Sequence, residues 1–293
     1  MKVITSAVNP FFIELQYSSL KKFLKQDFEY IVFNDAKEYP DFTNDGNLNF
    51  KNEINNICLK LNIKCIELDN KIIPPYNNYP SYKHYIVLTQ MYNYQMANPD
   101  KYLLLDNDII LIDYLDINKY NGYKAAIVLV QKKNNNNTIS YMWPCLCYLD
   151  FTFPDNDFHL LNWQIINQYT NVGGGSMIWL NKQILSNERI PTEEEVFNDY
   201  NKKYNTSLIY FMPGYMCGNW NKENYPSILN EKYPKLLSFL INDIRNSKNN
   251  NNNFTPDYID NCYFHFRCSS NWNNDGTNFY HNLVSSMKEI FDL

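Results

Sequence analysis

A chain of 293 residues, 45% hydrophobic and holding 25 Tyr and 18 Phe, has enough apolar material for one large α/β domain or two smaller ones, which excludes disorder of the chain as a whole. The net charge of −5 and the pI near 5.4 exclude a basic nucleic-acid surface. No apolar run approaches the roughly 18 residues of a membrane span, residues 1–8 are too short and polar for a signal peptide, and the seven Cys form no regular framework, so the expected setting is cytoplasmic with reduced thiols.

Residues 2–8 read as a first buried strand, and Asn9-Pro10 opens a helix over 10–24 with Phe11, Leu15, Leu20, Phe23 and Leu24 as its apolar stripe. A strand over 28–33, a helix over 50–61, a strand over 63–68 and a helix over 81–97 lead to the strand that begins at Tyr102. That alternation predicts a parallel sheet built from right-handed crossovers. Beyond it come a strand over 125–130, a polar loop over 131–137, and an aromatic, Pro-punctuated region over 141–158. A strand over 177–180, a helix over 193–203, a strand over 207–212, a helix over 228–246, an Asn-rich loop over 249–253, a strand over 263–266 and a helix over 277–291 complete the order. The first 120 residues have the pattern of a nucleotide-type half, and 121–293 that of a substrate half on the same sheet.

Tyr102-Leu103-Leu104-Leu105 runs without alternation into Asp106-Asn107-Asp108, and four aliphatics follow. If the strand ends at Leu105, both carboxylates sit at its carboxyl edge, where open α/β sheets bind ligands. Two carboxylates one residue apart can grip Mn²⁺ or Mg²⁺, whose other positions take phosphate oxygens; the plainer reading is a strand end followed by an Asp-Asn turn. The chain has no G-x-G-x-x-G after its first strand, no P-loop and no G-x-S-x-G elbow, so a nucleotide's phosphates would have to be held through a metal. Gly173-Gly174-Gly175 is the densest glycine in a chain with only 8, suited to a close backbone approach or positive φ, or to an ordinary turn.

In this order, Ser81-Tyr82-Lys83-His84, the segment 100–108, Tyr169 to Leu180 (YTNVGGGSMIWL) and Phe264-His265-Phe266 with Asn271-Trp272 resemble the motifs of GT-A fold, nucleotide-sugar-dependent glycosyltransferases. They are most similar to glycosyltransferase family 8, the glycogenin and bacterial lipopolysaccharide galactosyltransferase group. The set departs from that family in an extra Gly in the third motif, in Arg267, Ser269 and Ser270 where the fourth has Gly and Lys, and in a first strand ending without the usual acid.

The resemblance implies a single GT-A domain over 1–293, a Rossmann-like, mostly parallel sheet flanked by helices, transferring a hexose from a UDP-sugar to a glycan or protein acceptor. It implies metal ligands at Asp106, Asp108 and His265, where His265 could equally be a satisfied strand-end histidine. It implies a nucleotide face of Thr5, Ser6, Ala7, Lys83, His84, Asn107 and Arg267, with Lys83 and His84 as readily part of a solvated helix face. Asn171, Gly173, Gly174, Gly175, Ser270 and Trp272 fall on the sugar and acceptor side. Glu194 aligns with the family's reaction-centre position, although Thr192 followed by Glu193-Glu194-Glu195 also fits a helix capping box. Asp155 and Asp157 are the competing catalytic carboxylates. The rival expectations are a non-catalytic carbohydrate- or nucleotide-binding protein and a sugar nucleotidyltransferase.

Overall fold

The unalternated apolar runs near the amino terminus become strands covered on both faces. In the computed structural model, which describes residues 1–37, 49–70, 80–134, 137–154, 157–166, 170–199, 202–212, 225, 227–241, 256–266 and 277–293, they build the parallel half of a seven-stranded sheet. Strands β1 (Lys2–Ala7), β2 (Glu29–Asn34), β3 (Lys64–Glu67) and β4 (Lys101–Leu105) are joined by helices α1 (Ile13–Phe23), α2 (Asn49–Leu61) and α3 (Pro80–Ala97). After β4 the chain enters a short strand, β5 (Ile109–Leu111), and then returns to the sheet as β6 (Ala125–Asn134), β7 (Asn137–Asp150) and β8 (Leu208–Tyr210). The sheet order is β3-β2-β1-β4-β7-β6-β8, and β7 alone runs against the rest. Strands from both sides of residue 120 thus share one sheet.

Successive residues of a strand face opposite ways, so this sheet feeds two cores. Val3, Leu103 and Leu105 join Leu15 and Leu20 of α1, Ile54 of α2 and Met287 of the helix α8 (Thr277–Phe291). Ile4, Tyr102 and Leu104 join Val87, Leu88 and Met91 of α3, with Trp179 and Leu180 of α4 (Ser176–Lys182). The result is a mixed α/β architecture with a mainly parallel central sheet flanked by helices, as the alternation predicted. A second, antiparallel sheet, β5-β10-β9, is built with β9 (Asp257–Ile259) and β10 (Tyr263–His265) and closes over the first core. Among the described residues no helix is long and apolar enough to cross a membrane.

Several elements differ from the sequence reading for physical reasons. The expected loop over 131–137 is the far end of β6 and the start of β7, a hairpin projecting beyond the sheet. The aromatic, Pro-containing region is mostly strand. Pro144 cannot donate to a ladder, and the pairing shifts around it: between Ile127↔Cys147 and Leu129↔Met142, β6 advances two residues while β7 advances five. That bulge accommodates the proline. Residues 177–180 lie in α4 and not in a strand, because Trp179 and Leu180 are buried while Ile178 is 59% exposed. The helix expected over 193–203 stops early, as α5 (Glu193–Asn198). The one expected over 228–246 is two helices, α6 (Ser227–Lys232) and α7 (Pro234–Ile241), divided just before Pro234.

The glycine run packs closely against the protein's own backbone. Its backbone passes so close to β7 and to residue 162 that side chains do not fit: a Cβ on Gly173 would lie 2.5 Å from the Met142 carbonyl oxygen, and one on Gly175 2.8 Å from that of Asn162. Gly173 also takes a positive φ of 97°. Gly122 shares the positive φ but has nothing within 4 Å of a Cβ. Gly122→Ala should therefore meet only the left-handed backbone cost of about 1–2 kcal/mol, while Gly173→Ala also displaces a backbone oxygen and should cost clearly more in urea unfolding. Equal losses would contradict the close approach.

Candidate metal centre at the carboxyl edge of β4

The Asp106-Asn107-Asp108 turn is where the chain leaves the main sheet for the second one. The Ile109 amide donates to the Asp106 carbonyl at 3.0 Å and closes the turn. On one side the Asp106 amide donates to the Cys145 carbonyl at 2.8 Å, within the Pro144 bulge; on the other the Phe266 amide donates to the Asp108 carbonyl at 2.9 Å. From below, the buried Gln16 of α1 gives both hydrogens of its amide to the turn, to the carbonyls of Asp106 (2.7 Å) and Ile109 (2.6 Å). The Gln16 amide oxygen accepts from the Tyr30 hydroxyl at 2.6 Å, and Ser19, one helical turn on, accepts from the Leu111 amide at 3.2 Å.

Pairing within the second sheet brings a distant residue to this turn. His265 of β10 stands opposite Ile109 of β5 on one side and Asp257 of β9 on the other. Its Nε2 lies 3.4 Å from Asp108 Oδ1 and its Nδ1 2.8 Å from Asp257 Oδ2. Trp143, from the bulge in β7, sets its ring against the imidazole at 5.2 Å between centroids. Asp108 and Asp257 are each 2% exposed and His265 6%, while Asp106 is half-buried and opens the site to solvent. One ligand atom from each of Asp106, Asp108 and His265 lies within 4.8 Å of the others. Burial alone pulls the imidazole's pKa down, but the carboxylates of Asp108 and Asp257 outweigh it and hold the ring well above its ordinary range. Two carboxylates and an imidazole converging on one point suit a divalent cation.

Other residues expected at the site gather nearby. His84 of α3 places Nε2 3.7 Å from Asp106 Oδ1, and Lys83 precedes it on the same helix, half-buried. Thr5, Ser6 and Ala7 end β1, which runs parallel to β4 beside it and so opens on the same edge. The buried hydroxyl of Thr5 and both amide atoms of Asn107 make no hydrogen bond among the described residues, leaving polar capacity that the fold itself does not use. Asp155, Arg267, Ser270 and Trp272 lie outside the described residues.

The catalytic carboxylates separate. Asp157 is a correction: its carboxylate accepts from Lys124 Nζ at 3.2 Å, Trp179 Nε1 at 3.1 Å and Gln183 Nε2 at 2.8 Å. Lys124 immediately precedes β6, so this cluster ties the amino edge of the sheet, opposite the edge that carries Asp106. The capping box at α5 is real, and Glu195 forms it: Thr192 Oγ1 accepts from the Glu195 amide at 3.1 Å, and Glu195 accepts from the Thr192 amide at 2.8 Å. Arg189 and the Thr192 amide hold the Glu195 carboxyl down to about 2. Glu193 accepts from the Gln131 amide on the projecting β6 end. Glu194 is exposed, and among the described residues no contact joins it to the triad. Asn171 is exposed beside the glycine run, whose amides donate to the Trp163, Asn171 and Gln164 carbonyls at 2.8, 3.1 and 2.7 Å.

Three residues at the centre escaped the sequence reading: Gln16, Asp257 and Trp143. Gln16 left a trace, since it falls three residues after Ile13 and four before Leu20 on the buried face of α1. Gln16→Leu should fill the same space while removing the Gln16 donor from the Asp106 and Ile109 carbonyls and the acceptor of the Tyr30 hydroxyl, with the Ile109 amide still serving Asp106, a loss of about 2–3 kcal/mol in urea unfolding. A loss below about 1 kcal/mol would contradict the clamp.

No family profile matches the chain, and no curated protein matches it by sequence. Solved structures of glycosyltransferases do match. With S. aureus TarS in complex with UDP-GlcNAc the TM-score is 0.34 at 16% identity, covering 61% of this chain and 53% of that one. With the WbbM bifunctional glycosyltransferase the TM-score is 0.29 at 10% identity, covering 51% and 31%. With a glycosyltransferase involved in glycosylating the major capsid of PBCV-1 it is 0.29 at 7% identity, covering 78% and 90%. The chain therefore spans about half of the first of these and a third of the second. Likeness at this level carries no argument about chemistry, which has to come from the site.

Proposed function

We propose that the chain is a metal-dependent glycosyltransferase of the family 8 kind, moving a hexose from a nucleotide sugar, with UDP favoured, to a hydroxyl of a glycan or protein acceptor. The observation that carries the reading is the convergence of Asp106, Asp108 and His265, from two separate sheets, at the carboxyl edge of β4. The donor set fits the group: hard carboxylate oxygens with one imidazole suit Mn²⁺ first and Mg²⁺ second. A divalent cation held there supplies Lewis-acid neutralisation of a departing diphosphate without proton transfer.

The chain's own residues do the rest. Asp106, more exposed than Asp108, faces the incoming diphosphate, while Asp108 and His265 form the buried floor. Thr5, Ser6, Ala7 and Asn107 line the nucleotide side, and the buried Thr5 hydroxyl and Asn107 amide offer it hydrogen bonds. His84 and Lys83 approach from α3 toward the phosphates, and Arg267 serves the same charge bidentately. Glu194, with Asp155 as its rival, is the carboxylate for the reaction centre; Asn171, the glycine run, Ser270 and Trp272 form the sugar and acceptor side.

Asp108→Ala should abolish transfer and weaken UDP binding only when Mn²⁺ is present, as measured by calorimetric titration with and without the metal. UDP affinity that ignores both Mn²⁺ and the substitution would remove the metal from the account. For Glu194, both Glu194→Gln and Glu194→Ala should lower turnover by roughly 10²-fold or more while nucleotide-sugar affinity barely moves, since the lost interaction belongs to the transition state. Near-normal turnover in both variants would transfer the role to Asp155.

A further inference from the structure

His265 is held from more sides than a strand-end histidine requires. As the middle strand of its sheet, β10 gives His265 a cross-strand neighbour on each side, and directly paired residues share a face. Ile109, next to Asp108, is one neighbour and Asp257 the other. The imidazole thereby lies between two carboxylates, Nδ1 at 2.8 Å from Asp257 and Nε2 at 3.4 Å from Asp108. The Trp143 ring closes a third side. Asp257 lies outside the group whose ligand atoms converge within 4.8 Å, so its carboxylate serves the ring and not the converging point.

A carboxylate only 2% exposed costs free energy unless it makes a strong interaction, and packing alone would be better served by an apolar residue. We propose that Asp257 is a positioning residue that accepts the Nδ1 hydrogen of His265, fixing the ring's tautomer and orientation so that the Nε2 lone pair faces the 106–108 turn. This deepens the proposed function and rests on its metal site. The second sheet is then a ligand carrier: β9 orients the histidine, β10 bears it, and β5 connects directly to the turn that bears the two aspartates. Partners of this kind raise ligand basicity and remove the entropy of a freely turning ring.

The test is Mn²⁺ titration of the full chain, without nucleotide, for the wild type, Asp108→Ala, Asp257→Asn and Asp257→Leu. Leucine is close in size and cannot accept a hydrogen bond, whereas asparagine keeps an acceptor oxygen for Nδ1–H. Asp257→Leu should weaken Mn²⁺ binding about 10–100-fold, with Asp257→Asn closer to wild type, and neither should lower the metal-free thermal midpoint as steeply as it lowers affinity. If Asp257→Leu does not fold, Asp257→Ser, too short to reach Nδ1, replaces it under the same expectation. Wild-type affinity in the acceptor-lacking variant overturns the inference. So does complete loss of binding equal to that of Asp108→Ala, which would make Asp257 a ligand. If the wild type binds no Mn²⁺, or binds it regardless of Asp108→Ala, the metal reading itself fails, an outcome distinct from the other two.

Discussion

Two hydrogen bonds from one amide, Gln16 Nε2 to the carbonyls of Asp106 and Ile109, hold the point at which the chain changes sheets. A turn there is unavoidable, because β4 belongs to the parallel sheet and β5 to the antiparallel one. Its carbonyls point to the buried amide of Gln16, where an unpaired acceptor would cost about 1–3 kcal/mol. Gln16 meets both needs from a rigid helix and is itself fixed by Tyr30. With the backbone fixed, Asp106 and Asp108 each bring a carboxylate oxygen within 4.8 Å of the other's and of a His265 ring nitrogen.

The site concentrates like charge in a chain already at −5. Asp106, Asp108 and Asp257 meet around one imidazole, and the His84 ring stands 3.7 Å from Asp106. Holding three carboxylates around one ring costs desolvation, and under the proposed function a cationic ligand would offset it.

Much of the frame was legible because β1, β2 and β4 are apolar on both faces and their helices carry clear stripes. The acidic turn and His265 were legible as residue types in a pattern. What failed was physically harder to read. The Pro-punctuated region hides a strand, because a bulge absorbs Pro144 and points Trp143 and the Cys145 carbonyl at the site. The glycine run also makes a close approach to the protein's own backbone, which its spacing alone does not display. Asp157 looked like a free loop carboxylate until the fold brought Lys124, Trp179 and Gln183 to it. Asp257 gave no local sign at all: its role comes from a cross-strand register that one sequence does not display.

The central claim is that two sheets converge to hold one divalent cation. Anomalous diffraction from crystals grown with Mn²⁺ and UDP tests it most directly. The account predicts a single manganese peak bonded to Asp106, Asp108 and His265 Nε2, with diphosphate oxygens completing its coordination. A nucleotide bound at that edge with no metal between it and these three residues would contradict it.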